Sequence, residues 1–301
     1  MIQPPALNPG DLIYITAPAK LMDAQAVTYA KKHLEENGFK VLISKNCLGK
    51  HQYFSGTDEE RLSDLQFGID HPDVKAILCA RGGYGSIRLV DRINWANMLR
   101  EPKWLIGFSD ITVFHHRLNS LGVQSIHGSM PINFEKNTDE ALKTLLGSIT
   151  GKFTPFVLAP NKTNKTGLAT GNLIGGNLSI IYSMLGTTDQ YDFEDAILFL
   201  EDVGEHYYQV ERMIFALGKA GVFEKIKGLI IGGMTELEDT DPPLGRSIEE
   251  IILEQLRFSN MPVIFNFPAG HINDNRALVI GKHIKISINE NETIVSYSDQ
   301  L

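Results

Sequence analysis

In the run Leu105-Ile106-Gly107-Phe108-Ser109-Asp110-Ile111-Thr112 a short apolar segment stops at a glycine, turns on a serine and passes into a helical pattern from Ile111 to Leu118. A hydroxyl at such a strand-to-helix turn is held clear of the sheet, beside the free N–H groups of a helix start. Those groups can stabilise the anion formed when a serine attacks a carbonyl. A serine before a helix also serves as an N-cap. Ser109 therefore reads as a nucleophile only if the chain also supplies a base and an acid to orient that base.

Nine histidines are present. His115 and His116 fall within the helix after Ser109 and point to different faces, and the chain has no H-E-x-x-H zinc pair. His51, His71 and His283 stand in polar, solvating surroundings. His127, in His127-Gly128-Ser129, ends a strand-like run and is a candidate to line a site. His271 lies in Phe267-Pro268-Ala269-Gly270-His271-Ile272-Asn273, a rigid turn after an apolar run. An imidazole there is held in place yet accessible, as a general base must be. The acid that fixes its tautomer should be a carboxylate, and Glu201 directly follows the apolar run Ala196-Ile197-Leu198-Phe199-Leu200. A carboxylate after a buried strand is costly unless it is paired. The other reading of Glu201 is a cap for a helix beginning near Tyr208, while Asp202 and Glu205 lie further into the loop.

The chain order Ser109, Glu201, His271 matches that of the α/β-hydrolases, but Ile111 stands where the G-x-S-x-G elbow has its second glycine. A further glycine loop, Arg81-Gly82-Gly83-Tyr84-Gly85, could cradle a phosphate or donate one N–H to an oxyanion. It is not G-x-G-x-x-G, and no P-loop Lys-Ser/Thr follows.

The elements that must carry these residues alternate in the first half. Strands are expected at 12–16, 40–44, 74–80, 104–107 and 123–126, with helices near 24–37, 58–69, 86–93 and 111–118. That alternation predicts an α/β fold whose N-terminal domain is a mostly parallel, Rossmann-like sheet flanked by helices, with ligands beyond the carboxyl ends of the strands. The polar, turn-rich run 160–167 reads as a linker, placing domains at 1–159 and 168–301. The C-terminal domain reads as α/β, closing on a short antiparallel meander of 278–280, 284–288 and 293–297.

Composition excludes several classes. The 301 residues are 43% hydrophobic and 21% charged, as in an ordinary globular protein. A net charge of -8, with no Lys/Arg block, argues against a nucleic-acid partner. No apolar run approaches the roughly 20 residues that span a bilayer, so no membrane partner is expected. Two cysteines make neither a disulfide framework nor a zinc quartet. The start, Met1-Ile2-Gln3-Pro4-Pro5, lacks the features of a secretory signal, so the expected compartment is the cytoplasm.

Five separated segments carry a more specific signal: Arg81-Gly82-Gly83-Tyr84-Gly85, Gly107-Phe108-Ser109-Asp110-Ile111-Thr112, Gly175-Gly176-Asn177-Leu178, Leu198-Phe199-Leu200-Glu201-Asp202 and Gly270-His271. With them the chain resembles the LD-carboxypeptidase family of serine peptidases, which includes muramoyl-tetrapeptide carboxypeptidases and microcin C immunity peptidases. The resemblance implies Ser109 as nucleophile, His271 as base, Glu201 as orienting acid and an oxyanion hole from the N–H groups of Gly83 and Asp110. It also implies two domains with the site where they meet, no metal or other cofactor, and a homodimer. Arg81, Tyr84 and His127 are candidate substrate contacts. The implied substrate is a murein tetrapeptide losing terminal D-alanine. The alternative is an aminoacyl-nucleotide antibiotic, whose base calls for an aromatic stacking surface. The short loop Gly186-Thr187-Thr188-Asp189-Gln190-Tyr191 offers only Tyr191 for that purpose. A non-catalytic nucleotide- or sugar-binding module is the reading from another class.

Overall fold

A computed structural model describes residues 1–297. Along the first half run β1 (Leu12–Thr16), α1 (Ala24–Glu36), β2 (Lys40–Ile43), α2 (Asp58–Asp70), β3 (Val74–Cys79), α3 (Ala96–Arg100), β4 (Trp104–Gly107), α4 (Thr112–Ser120), β5 (Ser125–His127), α5 (Pro131–Phe134) and α6 (Asp139–Ile149). There follow β6 (Phe156–Leu158), β7 (Gly167–Asn177), α7 (Leu178–Met184), β8 (Ile197–Val203), α8 (Tyr207–Lys219), α9 (Val222–Lys225), β9 (Gly228–Thr235), α10 (Ile248–Gln255) and β10 (Val263–Ile264). The chain ends on β11 (Leu278–Ile280), β12 (His283–Ile288) and β13 (Thr293–Tyr297).

The chain divides into two compact units, Met1–Phe153 with Asn273–Gly281, and Thr154–Ile272 with the stretch from Lys282 onward. The first is built on a six-stranded sheet of order β11-β5-β4-β3-β1-β2, parallel throughout except for β11. Its inner strands are buried on both faces, as a helix-covered parallel sheet requires. The helices show why they form where they do. Thr57 and Glu60 make a reciprocal capping box at the start of α2. In α1 the buried residues Val27, Ala30 and Leu34 recur at helical spacing, and Gly38, at φ +90°, follows its end.

The second unit holds a seven-stranded sheet of order β10-β9-β8-β7-β12-β13-β6. Strands β7 to β10 pair in parallel, whereas β12, β13 and β6 form an antiparallel extension. In α8, Val210, Met213, Ile214 and Leu217 recur at helical spacing and form its buried stripe.

Three details differ from the sequence reading. Residues 160–167 are stitched into the second unit: Lys165 and Val263 exchange backbone hydrogen bonds at 2.9 and 3.1 Å, and Asn164 accepts from the Phe265 N–H at 2.8 Å. Strand β11, expected in the C-terminal meander, instead pairs antiparallel with β5, so 273–281 belongs to the first unit. The meander itself is β12, β13 and β6. The helix expected near 86–93 is only a single 3-10 turn, Ser86–Arg88.

Candidate active site

Residues expected to do chemistry fall into two clusters, one in each unit. In the first, β4 ends at Gly107, Phe108 is extended, and Ser109 takes φ +64°, in the left-handed region. A non-glycine residue held there stores strain on the order of 1 kcal/mol, a feature typical of nucleophile turns. The 3-10 turn Ser109–Ile111 then leads into α4. The cap position belongs to the extended Phe108, and no side chain caps the turn, so the N-cap reading of Ser109 does not hold. Ser109 itself is half-buried. A Cβ at Gly107 would stand 2.9 Å from two carbons of Ile111. The close contact that keeps Gly107 a glycine is therefore made by the residue that replaces the second elbow glycine.

From α4, His115 reaches back to this turn. Its Nε2 lies 2.9 Å from the Gly107 carbonyl and its Nδ1 2.8 Å from the Ser125 hydroxyl. A carbonyl only accepts, so Nε2–H donates to Gly107 and Nδ1 accepts from Ser125. Complete burial pushes the imidazole pKa down to about 4, which keeps it neutral. His115 thus ties the end of β4 to β5.

The loop after β3 presses on the same turn. A Cβ at Gly82 would stand 3.1 Å from the Ser109 Cβ and 3.3 Å from the Asp110 nitrogen. Gly83 and Gly85 take φ +103° and +142°, which a side chain would strain. The buried Asp110 carboxylate accepts from the Ser86 N–H at 2.9 Å, pinning the loop to the turn. Burial raises the Asp110 pKa, and the Ser86 and Gly85 donors and the Arg61 charge oppose that rise. Neither the Gly83 nor the Asp110 amide donates a hydrogen bond among the described residues. Arg61, fully buried on α2, donates to the carbonyls of Pro18, Gly56 and Gly85 and pairs with Asp58. It braces the loops after β1 and β3 from behind.

In the second unit Glu201 lies inside β8, which continues to Val203, rather than just beyond it. The pairing with β9 slips here: Leu200 faces Ile231 but Asp202 faces Met234, leaving Gly232 and Gly233 opposite Glu201 alone. Such a bulge re-aims a side chain. Glu201 is wholly buried, and its Oε2 lies 2.7 Å from His271 Nδ1 and 3.2 Å from the His271 backbone nitrogen. Burial would lower the His271 pKa, but the charge and hydrogen bond of Glu201, with Asp202 and Glu236, raise it above the usual imidazole value. With the Nδ1 proton committed to Glu201, the neutral ring carries its lone pair on Nε2, the arrangement of a general base. Thr235 Oγ1 donates to the His271 carbonyl at 3.1 Å and helps to fix the turn. Helix α8 is capped at His206, whose N–H donates to Gln209, so Glu201 is not its cap. Asp202 is buried as well. Burial and then the Glu201 charge push its carboxyl up to about 6, against hydrogen bonds from Val203, Asn177 and Ser179.

Other expected contacts fall unevenly. Tyr84 is half exposed, and the half-buried Arg81 donates to the Leu21 carbonyl at 3.3 Å. His127 is completely buried, with its ring 5.7 Å from that of Phe108, so in this structure it has no exposed surface to offer a substrate. Tyr191 is also buried, donating to the Gly175 carbonyl at 3.1 Å, and presents no face for a base to stack on. Arg61 and His115 were not identified from the sequence as parts of the machinery. Arg61 had a signal, since it shares the buried stripe 61, 64, 65, 68, 69 of α2 with core residues. Among the described residues no group of three or more His, Cys, Asp or Glu could hold a metal ion, and no helix is long and apolar enough to cross a membrane.

Comparison with known proteins adds independent findings. Residues 13–128 match the family model described as LD-carboxypeptidase N-terminal domain, and 170–286 that described as LD-carboxypeptidase C-terminal domain. The "Murein tetrapeptide carboxypeptidase" of Pseudomonas aeruginosa is 30% identical, over 90% of this chain and 91% of its own length. The "Probable murein peptide carboxypeptidase" of Bacillus subtilis is 31% identical, over 97% and 94%. A solved muramoyltetrapeptide carboxypeptidase from Oxalobacter formigenes superposes with a TM-score of 0.87 at 28% identity, covering 95% of this chain and 98% of that one. The microcin C7 self immunity protein MccF shares the fold, with a TM-score of 0.88 at 20% identity over 99% of both chains. With both of its domains matched by the family's own models, the chain belongs to the LD-carboxypeptidase family of peptidases and is a hydrolase.

Proposed function

We propose that the chain is a serine-type LD-carboxypeptidase that releases terminal D-alanine from murein tetrapeptide, with Ser109, Glu201 and His271 as its catalytic triad. In this reading His271 Nε2 takes the Ser109 hydroxyl proton as Oγ attacks the amide carbonyl. The oxyanion accepts hydrogen bonds from the amides of Gly83 and Asp110. The C–N bond then breaks as the imidazolium returns its proton to the leaving amine, and D-alanine departs from an acyl-enzyme on Ser109. Water, deprotonated by the same imidazole, attacks the ester and restores the hydroxyl.

The observation that carries this reading is the 2.7 Å contact between Glu201 Oε2 and His271 Nδ1. A wholly buried carboxylate that fixes the tautomer and raises the basicity of a half-buried imidazole supports an acid–base role. The left-handed Ser109 and the adjacent donor-rich glycine loop support the complementary role in the other unit. The names of the relatives from Pseudomonas aeruginosa and Oxalobacter formigenes support the murein peptide as substrate. A cytoplasmic homodimer recycling wall peptides is the setting this reading implies. Mass spectrometry of the purified protein with murein tetrapeptide, and separately with an aminoacyl-adenylate analogue, tests it. Loss of one alanine from the tetrapeptide is expected. Cleavage of the analogue alone would replace the reading.

A further inference from the structure

Lys20 lies on the loop after β1, with its backbone N–H donating to the Gly82 carbonyl at 3.3 Å. Its side chain runs along Gly83: a Cβ on that glycine would stand 3.1 Å from Lys20 Cβ and 3.2 Å from its Cδ. The same point would lie 3.0 Å from the Tyr53 hydroxyl, and the Lys20 ammonium sits 4.8 Å over the Tyr53 ring. No carboxylate pairs with Lys20 among the described residues, and its ammonium rests on that ring. Arg81, at the other end of the glycine pair, donates to the carbonyl of the next loop residue, Leu21, and also lacks a carboxylate among the described residues. The chain carries a net charge of -8, and elsewhere one carboxylate, Asp58, is shared by two arginines. Two cations without carboxylates beside one glycine loop therefore point to an anionic group on the ligand.

The proposed reaction says which group that is. An exopeptidase that removes a single C-terminal residue must read the free carboxylate of that residue. This carboxylate lies three bonds past the scissile carbon, about 3–4 Å away. With the scissile oxygen on the Gly83 amide, a cation lying along Gly83 is within reach of it.

We propose that Lys20, with the Tyr53 hydroxyl as second donor, binds the terminal carboxylate of the substrate and so restricts cleavage to the last residue. This assignment rests on the carboxypeptidase reading above. The Tyr53 ring holds the ammonium over the loop by a cation–π contact, which reduces the ordering needed on binding. A charge-assisted hydrogen bond to a carboxylate supplies the discrimination.

The test compares kcat/KM for the tetrapeptide free acid and for the same peptide with a C-terminal carboxamide, in wild type, Lys20→Gln and Lys20→Arg. Wild type should prefer the acid. Lys20→Gln should lower the acid-over-amide ratio by about ten- to a hundredfold, and Lys20→Arg should restore part of it. A ratio unchanged in Lys20→Gln, whether both rates hold or both fall together, overturns the carboxylate site alone. Equal wild-type rates on acid and amide overturn it too. A wild-type protein inactive on the free acid overturns the proposed function and this site with it.

Discussion

The carboxylate of Glu201 occupies the space that a side chain at Gly270 would need. A Cβ there would stand 2.7 Å from Glu201 Oε2 and 2.7 Å from its Cβ. The same backbone turn delivers His271 Nδ1 to that oxygen at 2.7 Å. Gly270 also holds φ +107°, so alanine there meets both strain and collision. Gly270→Ala should move the carboxylate by a fraction of an ångström and lower kcat by about a hundredfold. The accompanying loss of stability should be about 1–3 kcal/mol. Steady-state kinetics and a thermal melt on the same preparation separate the two effects.

With His271 as the proposed base, its raised pKa should set the acid limb of the pH profile. A general base must be unprotonated, so kcat/KM should climb with pH through an apparent pKa above the ordinary imidazole value of about 6.5. Glu201→Gln removes the charge that favours the imidazolium. Its acid limb should therefore move to lower pH even as the maximal rate falls. A pH–rate series on both proteins checks the sign.

His115 behaves in the opposite sense. Its folded pKa of about 4 lies below the unfolded value of about 6.5, so the unfolded chain takes up the proton first. Its contribution is intact above the unfolded value and is lost as pH falls towards 4, a loss of up to about 3 kcal/mol. Urea midpoints between pH 7 and pH 4 should fall less steeply in His115→Gln than in wild type.

Arg61 should matter more than any surface ion pair. Its side chain is fully buried and serves three loop carbonyls, whereas the Arg92–Glu59 pair lies in solvent. Arg61→Leu should cost about 3 kcal/mol and also lower kcat, because it releases Gly85 next to the proposed oxyanion donors. Glu59→Ala should change neither by a measurable amount. Denaturation curves with parallel kinetics give the comparison.

Much of the architecture was readable from local signals. The alternating strands and helices of the first half, the capping boxes at Thr57 and Ser247, and the stripe of α8 all follow from short-range physics. What escaped was long-range. Strand β7 carries glycines that mimic a loop in sequence, yet Gly171 and Gly175 are small because the carbonyls of Asp195 and Phe199 press on them. Strand β11 pairs with β5 some 150 residues earlier, a register no local pattern encodes. Within the candidate machinery, Ser109 and His271 stand at turns after strands and Glu201 near the carboxyl end of β8, positions that single them out in the sequence. His115 and Arg61 act through backbone carbonyls, and a carbonyl leaves no residue type in the sequence to mark its partner. His127 reads as accessible from its position at a strand end, but the packing of Phe108 over it is a tertiary fact.

The central claim is that the Ser109 hydroxyl is the nucleophile. Ser109→Ala, compared with wild type on L,D-tetrapeptide by mass spectrometry, tests it most directly. The variant should melt like wild type or slightly lower and should release no D-alanine above background, while wild type converts the peptide to tripeptide. Turnover by Ser109→Ala at a rate near that of wild type would contradict the account.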